Sequence, residues 1–151
     1  MKIARNYFLA ASFLIVGVVC SCGKKEGETD AVTLQMNRLT GTWKVSAARK
    51  EGVLQSGYEN CKITLSGNAK EELYDYSITG VPAISPWTGI GTWKFGANAE
   101  TQIVRDPSTS YAVNVDYVVS ESALQLAFEY AVSAGRTESA GGYWIFTFAK
   151  E

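Results

Sequence analysis

Short stretches of this chain alternate apolar and polar residues with a period of two, and turn-forming residues separate them. Trp43, Val45 and Ala47 share one phase against Lys44 and Ser46, and Ile63 and Leu65 do so against Lys62 and Thr64. Tyr74, Tyr76 and Ile78 form another set, as do Gly91, Trp93 and Phe95. Tyr111, Val113, Val115, Tyr117 and Val119 alternate with Ala112, Asn114, Asp116 and Val118. Leu124, Leu126, Phe128 and Tyr130 alternate with Ala123, Gln125, Ala127 and Glu129, and Trp144, Phe146 and Phe148 with Ile145 and Thr147. Ile103 with Arg105 marks a shorter strand, and Val53-Leu54 the shortest. Successive side chains of a strand point to opposite faces, so this period describes strands buried on one side. Between them lie Glu51-Gly52, Ser56-Gly57, Ser66-Gly67-Asn68, 80–89, Gly96-Ala97-Asn98, 106–110 and 134–142, with no helical stretch long enough for a parallel crossover. The pattern predicts an all-β, all-antiparallel sandwich or barrel of about eight strands. Eight strands can close into a barrel that side chains just fill, or that holds one small ligand. A short helix over residues 31–39 precedes them, capped by Asp30, with Val32, Met36 and Leu39 on one face.

The start of the chain has a different character. Lys2 and Arg5 are followed by an apolar run from Phe8 to Val19, then Val19-Cys20-Ser21-Cys22. The run is too short to span a bilayer and has the length of a secretory signal core. An aliphatic residue, two small ones and a cysteine resemble the processing site of bacterial lipoproteins. Of the two cysteines, Cys22 follows the small Ser21, whereas Cys20 follows the β-branched Val19. The expectation is a signal segment over residues 1–21 and lipid on Cys22, which holds the protein on a membrane. One acyl chain anchors only marginally, and the two or three chains implied by the resemblance anchor firmly. Residues 22–31 read as a flexible tether, charged and glycine-bearing, ahead of a domain over residues 32–151. Gly23 follows the cysteine, so an aspartate retention signal for the inner membrane is absent. The expected location is the outer membrane, on its periplasmic or its cell-surface face.

Composition narrows the chemistry. Removing residues 1–21 takes away Lys2 and Arg5 and leaves 12 basic against 15 acidic side chains, a net charge of −3. Nucleic acid requires a basic face, so no nucleic-acid partner is expected. Cys61 is the cysteine left without an assignment, and its alternating apolar surroundings predict a buried, inert thiol. The chain contains no histidine. The usual general base near neutral pH and the commonest metal ligand are therefore both missing. Glu71 and Asp75 oppose the tyrosine phase, and Asp116 and Glu129 also fall on outward positions. No pair of carboxylates flanks a cleft, as glycoside hydrolysis needs. Neither an enzyme, nor a metal site, nor a cofactor is expected.

Gly41-Thr42-Trp43-Lys44 recurs as Gly91-Thr92-Trp93-Lys94, each copy opening a strand. A glycine there allows a tight approach, and the indole packs inward near one end of the sheet. With the helical turn before it, the first copy resembles the Gly-x-Trp that opens the first strand of lipocalins. The second copy and the closing run Trp144 to Lys150 extend the likeness across residues 32–151. The chain is thus similar to the lipocalin-like lipoproteins of Bacteroidetes. The resemblance implies an eight-stranded barrel or half-open barrel with a lumen. It also implies a closed end at which a basic residue, here Lys150, packs over Trp43 beside Gly41.

If Trp43 and Trp93 point inward, the same phase lines the lumen with Tyr74, Tyr76, Trp93, Phe95 and Tyr111. Tyr117, Phe128, Tyr130 and Trp144 complete the lining. Such rings supply apolar walls and hydroxyls that orient a ligand, or else they simply fill the core. Gly80-Val81-Pro82-Ala83-Ile84-Ser85-Pro86-Trp87-Thr88-Gly89 is the candidate functional loop. It reads as a lid over the barrel mouth, as a contact surface for an envelope protein through Trp87, or as a plug in which Trp87 covers the core. The functional expectation is a non-enzymatic, lipid-anchored barrel that binds a small apolar or amphipathic molecule, or a glycan. The alternative is a solid barrel acting as a protein-interaction or inhibitor module through residues 80–89.

Overall fold

The structure, a computed structural model, describes residues 30–132 and 140–151. The expected signal segment, Cys22 and all but the last two residues of the tether lie outside the described residues, as does most of the 134–142 connection. Helix α1 spans Ala31–Leu39. The Asp30 carboxylate caps it by accepting from the Val32 amide at 3.2 Å. Met36 and Leu39 face the core, which fixes the helix across one end of the sheet.

The strands are β1 (Gly41–Lys50), β2 (Val53–Leu54), β3 (Lys62–Ser66), β4 (Tyr74–Thr79) and β5 (Ile90–Phe95). They continue as β6 (Gln102–Arg105), β7 (Val113–Val119), β8 (Ala123–Tyr130) and β9 (Gly142–Lys150). Every pairing is antiparallel. From β3 onward each strand pairs with the next, and β9 returns to β1, so β1 and β3 to β9 close an eight-stranded barrel. The short β2 lies outside the ring. It folds back on β1 through Glu51 and Gly52, whose φ values of 48° and 78° give the turn that matches strand twist.

Burial follows the expected period in β4, β7, β8 and β9, with Tyr74, Tyr76, Ile78, Val113, Val115 and Tyr117 among the inward residues. The outward positions carry Lys44, Asp75, Asp116, Gln125 and Glu129. A barrel that faces lipid shows the reverse arrangement. Strand β1 departs from strict alternation. Its register against β9 shifts between Val45 and Ala47, so Ala48, not Ala47, is buried. A bulge adds one residue to a strand, and the phase beyond it inverts.

The two Gly-Thr-Trp copies do send both indoles into one core, with Trp43 fully buried and Trp93 nearly so. Their glycines serve different ends. Gly41 has φ 134°, a region that strains side-chain-bearing residues, and Lys150 lies against it. Gly91 sits where any side chain would run into Asp106 and the Tyr76 ring.

Candidate functional site

At the helix end, the Trp43 indole donates to the Leu39 carbonyl at 2.8 Å, which ties β1 to the last turn of α1. Trp43 and Lys150 face each other across β1 and β9, and the Lys150 ammonium lies 5.1 Å from the Trp43 ring centroid. The expected trio of Gly41, Trp43 and Lys150 therefore meets at this end. Tyr74 leans on Trp93 at a ring separation of 4.7 Å and donates to the Glu71 carbonyl at 2.8 Å. The Trp93 indole donates to the Asp75 carbonyl. Tyr117 donates to the Ala99 carbonyl, and burial pushes its phenol up to about 12. Each of these polar groups is satisfied by backbone, as a packed core requires.

The lumen itself is filled. The space enclosed by Ile63, Leu65, Tyr76, Trp87, Trp93 and Arg105 amounts to about 10 Å³. That is room for about one water molecule. No ligand enters unless a side chain leaves.

Tyr111 stands elsewhere than the sequence pattern put it, and Trp87 takes the buried one of the three roles open to it, the plug. Tyr111 is 48% exposed, because β7 begins only at Val113, and the turn before it takes Tyr111 off the inward phase. Trp87 is 6% exposed, so it offers no contact surface to a protein partner. Its ring lies edge-on to Tyr76, Phe128 and Phe146 at centroid distances of 6.0, 5.3 and 5.6 Å. Trp87 is the plug at the end opposite α1, inserted from the loop between β4 and β5. Trp144 stays inward, donating to the Ala140 carbonyl at 2.9 Å and stacking on Phe146.

Beneath Trp87 lies the residue that the sequence reasoning left without a role. Arg105 alternates with Ile103 on β6 and so points inward, where it is 2% exposed. Its guanidinium carbon sits 4.7 Å from the Trp87 ring, 5.1 Å from Phe128 and 5.7 Å from Tyr130. The next residue, Asp106, turns the chain at φ 50° and sends its carboxylate back to the same place. One of its oxygens accepts from the Thr92 amide at 3.1 Å and the other from the Tyr76 hydroxyl at 2.9 Å. Arg105 Nε is 3.5 Å from that second oxygen, an ion pair too poorly formed to count as a hydrogen bond. Nε and Nη1 of Arg105 consequently have no hydrogen-bond partner, and neither has the Trp87 indole N–H.

This arrangement is electrostatically expensive. Burial lowers the guanidinium pKa from its ordinary value, with Tyr76 and Asp106 acting in the opposite sense. Burial also pushes the Tyr76 phenol up to about 12. Burying an ion costs several kcal/mol, and a desolvated cation–π contact returns about 2 kcal/mol. The rings and Asp106 thus offset part of that cost and leave two donors unmet. The signal for Arg105 was present in the period of β6, but its charge argued for solvent.

Outside the plug, Ala83, Ile84, Ser85, Trp87, Thr88, Tyr130 and Ala140 border a depression of about 320 Å³. The loop over it is lightly held. Residues 81–88 make no backbone–backbone hydrogen bond among the described residues. Among the described residues, the Trp87 amide to Ser85 Oγ, at 3.2 Å, and Thr88 Oγ1 with the Tyr76 hydroxyl, also at 3.2 Å, fasten it by polar contacts. Gly80 and Gly89 bound the loop with φ values of 68° and 89°.

Cys61 is fully buried, and burial pushes its thiol up to about 11. Among the described residues, no group of three or more cysteine or carboxylate side chains is placed to hold a metal ion. No protein-family profile, curated protein or solved structure matches this chain.

Proposed function

We propose that this chain is a lipid-anchored envelope lipoprotein with a lipocalin-like barrel, which binds a small amphipathic molecule at its mouth and performs no catalysis. The lipid anchor rests on the sequence of residues 1–22, with Cys22 as the acylated residue and the outer membrane as the destination. The binding role rests on one observation above the others. Among the described residues, the mouth is plugged by a tryptophan on a segment, 81–88, without backbone–backbone hydrogen bonds, and it covers a buried cation with two nitrogens that lack partners.

A filled lumen excludes a preformed cavity, so the ligand takes the place of Trp87. Loops with few hydrogen bonds open at low free energy, and binding sites are drawn from such segments. Removal of the indole joins the outer depression to the walls supplied by Tyr76, Phe128 and Phe146. Those walls are apolar and the rim is polar, which suits a molecule with both characters.

Titration of the full chain in phosphatidylcholine nanodiscs with water-soluble amphiphiles tests the binding role through tryptophan fluorescence. Saturable change, absent from empty discs, is the expected result. A flat response to apolar, amphipathic and sugar ligands alike removes the proposal. For the anchor, Cys22→Ser is expected to move the protein from the membrane to the soluble fraction, and retention in membranes contradicts it.

A further inference from the structure

The geometry points to Arg105 as an oxyanion-binding residue: the ligand of the mouth is an amphipathic organic anion, whose head accepts hydrogen bonds from the guanidinium. This inference rests on the binding role proposed above and names the chemistry of the ligand. A carboxylate, a sulfonate or a phosphate monoester shares that chemistry, and an apolar body of modest length replaces the Trp87 indole.

Four observations lead to it. First, Arg105 is 2% exposed, yet its Nε and Nη1 lack acceptors. Buried polar groups in native cores are overwhelmingly paired, so two unmet donors on one cation mark a place where an acceptor belongs. Second, the nearest carboxylate does not supply it as placed: Asp106 is turned to the Thr92 amide and the Tyr76 hydroxyl, which leaves Arg105 Nε 3.5 Å from its Oδ2 and Nη1 without an acceptor. A single water in the 10 Å³ space beside Arg105 meets one donor and leaves another.

Third, the group that covers the guanidinium has no polar tie to it. The Trp87 indole N–H is unpaired, and the ring is held by its contacts with Tyr76, Phe128, Phe146 and the guanidinium face. A ring held in this way leaves without stranding a hydrogen-bond partner. Fourth, the flanking Gly80 and Gly89 adopt positive φ; a side chain at Gly89, next but one to Trp87, would meet nothing within 4 Å, while Gly80 packs on the Asn60 backbone and anchors the far end of the segment.

Selectivity follows from preorganisation. Arg105 has already lost its hydration in the unliganded protein, so an arriving oxyanion need not desolvate it. Guanidinium also matches a planar oxyanion with parallel, charge-assisted hydrogen bonds, which a neutral hydroxyl cannot reproduce.

The test compares decanoate with decanol on the full chain in phosphatidylcholine nanodiscs, with empty discs as the reference and tryptophan fluorescence as the readout. The wild-type protein is expected to favour decanoate by about tenfold or more, and Arg105→Met to reduce that preference to about twofold or less. Where Arg105→Met does not melt cooperatively, Arg105→Lys carries the test, because it keeps the charge and loses the planar fork; an intermediate preference is expected. Equal binding of acid and alcohol by the wild type, or an unchanged preference in the variants, overturns the oxyanion assignment and leaves the binding role standing. Binding of neither amphiphile overturns both.

Discussion

The Arg105 guanidinium lies 4.7 Å from the ring of Trp87, stacked beneath an aromatic plug that the 80–89 loop inserts into the barrel. The contact joins a buried charge to a segment, 81–88, that makes no backbone–backbone hydrogen bond among the described residues. A cation–π contact of this kind contributes about 2 kcal/mol when desolvated, less than the several kcal/mol that burial of the ion costs. At the opposite end, where Trp43 meets Leu39 and Lys150, the indole N–H is satisfied, while Gln35 Oε1 and Thr40 Oγ1 lack partners.

Alkaline pH is expected to destabilise the fold in a defined window. The folded pKa values of Tyr76 and Tyr117 stand at about 12 against 10.0 for the free phenol, and that of Cys61 at about 11 against 9.0. A raised folded pKa means that the folded state holds its proton after the unfolded chain has lost it. The resulting stability is fully present below pH 9, starts to fall as Cys61 ionises in the unfolded chain, and is lost as pH rises towards 12. Urea midpoints measured from pH 7 to 11 check this, and a flat profile contradicts it.

Gly91→Ala is expected to lower stability more than its size suggests. The added methyl meets the Tyr76 ring and Asp106, which are packed on the bare backbone. Overpacking of this type costs about 1–3 kcal/mol, while the reduced freedom of the unfolded chain returns at most about 1 kcal/mol. Thermal melting is the measurement. Gly52→Ala provides the contrast, since nothing lies within 4 Å of that position and only its backbone strain counts.

Lys150→Met is expected to reduce stability by about 0.5–1 kcal/mol, the worth of an exposed cation–π contact, and Lys150→Arg to preserve it. The difference should vanish in a Trp43→Leu background, which has no ring, if the contact is the cause, and a double-mutant cycle by urea unfolding reads it directly.

Much of the fold was legible because a strand buries alternate residues. In β4, β7, β8 and β9 that rule places nearly every ring correctly, from Tyr74 and Tyr76 to Trp144 and Phe148. It failed where local backbone breaks the count. The bulge after Val45 inverts the phase of β1, and the turn before Val113 takes Tyr111 into solvent. The candidate site was less legible than the fold. Periodicity put Arg105 in phase with the buried Ile103, yet charge alone argues for exposure. Only the three rings and the returning Asp106 carboxylate explain its burial; the rings come from the β4–β5 loop and β8, far from Arg105 in the chain, and the adjacent Asp106 reaches back only because the chain turns there at φ 50°. Whether the lumen is filled or open was equally out of reach, because it depends on side-chain volume against barrel volume.

The central claim is that Trp87 occupies the ligand's place and competes with it. Calorimetric titration of Trp87→Ala with decanoate, beside the wild type, tests this most directly. Loss of a buried tryptophan lowers stability by roughly 3–5 kcal/mol, so the melting temperature falls and added decanoate should raise it again. The account predicts that the variant nonetheless binds decanoate several-fold more tightly, because the competing conformation is gone. Weaker binding by a folded Trp87→Ala protein would show that the indole is a wall of the site or part of an inert core, and would contradict the claim.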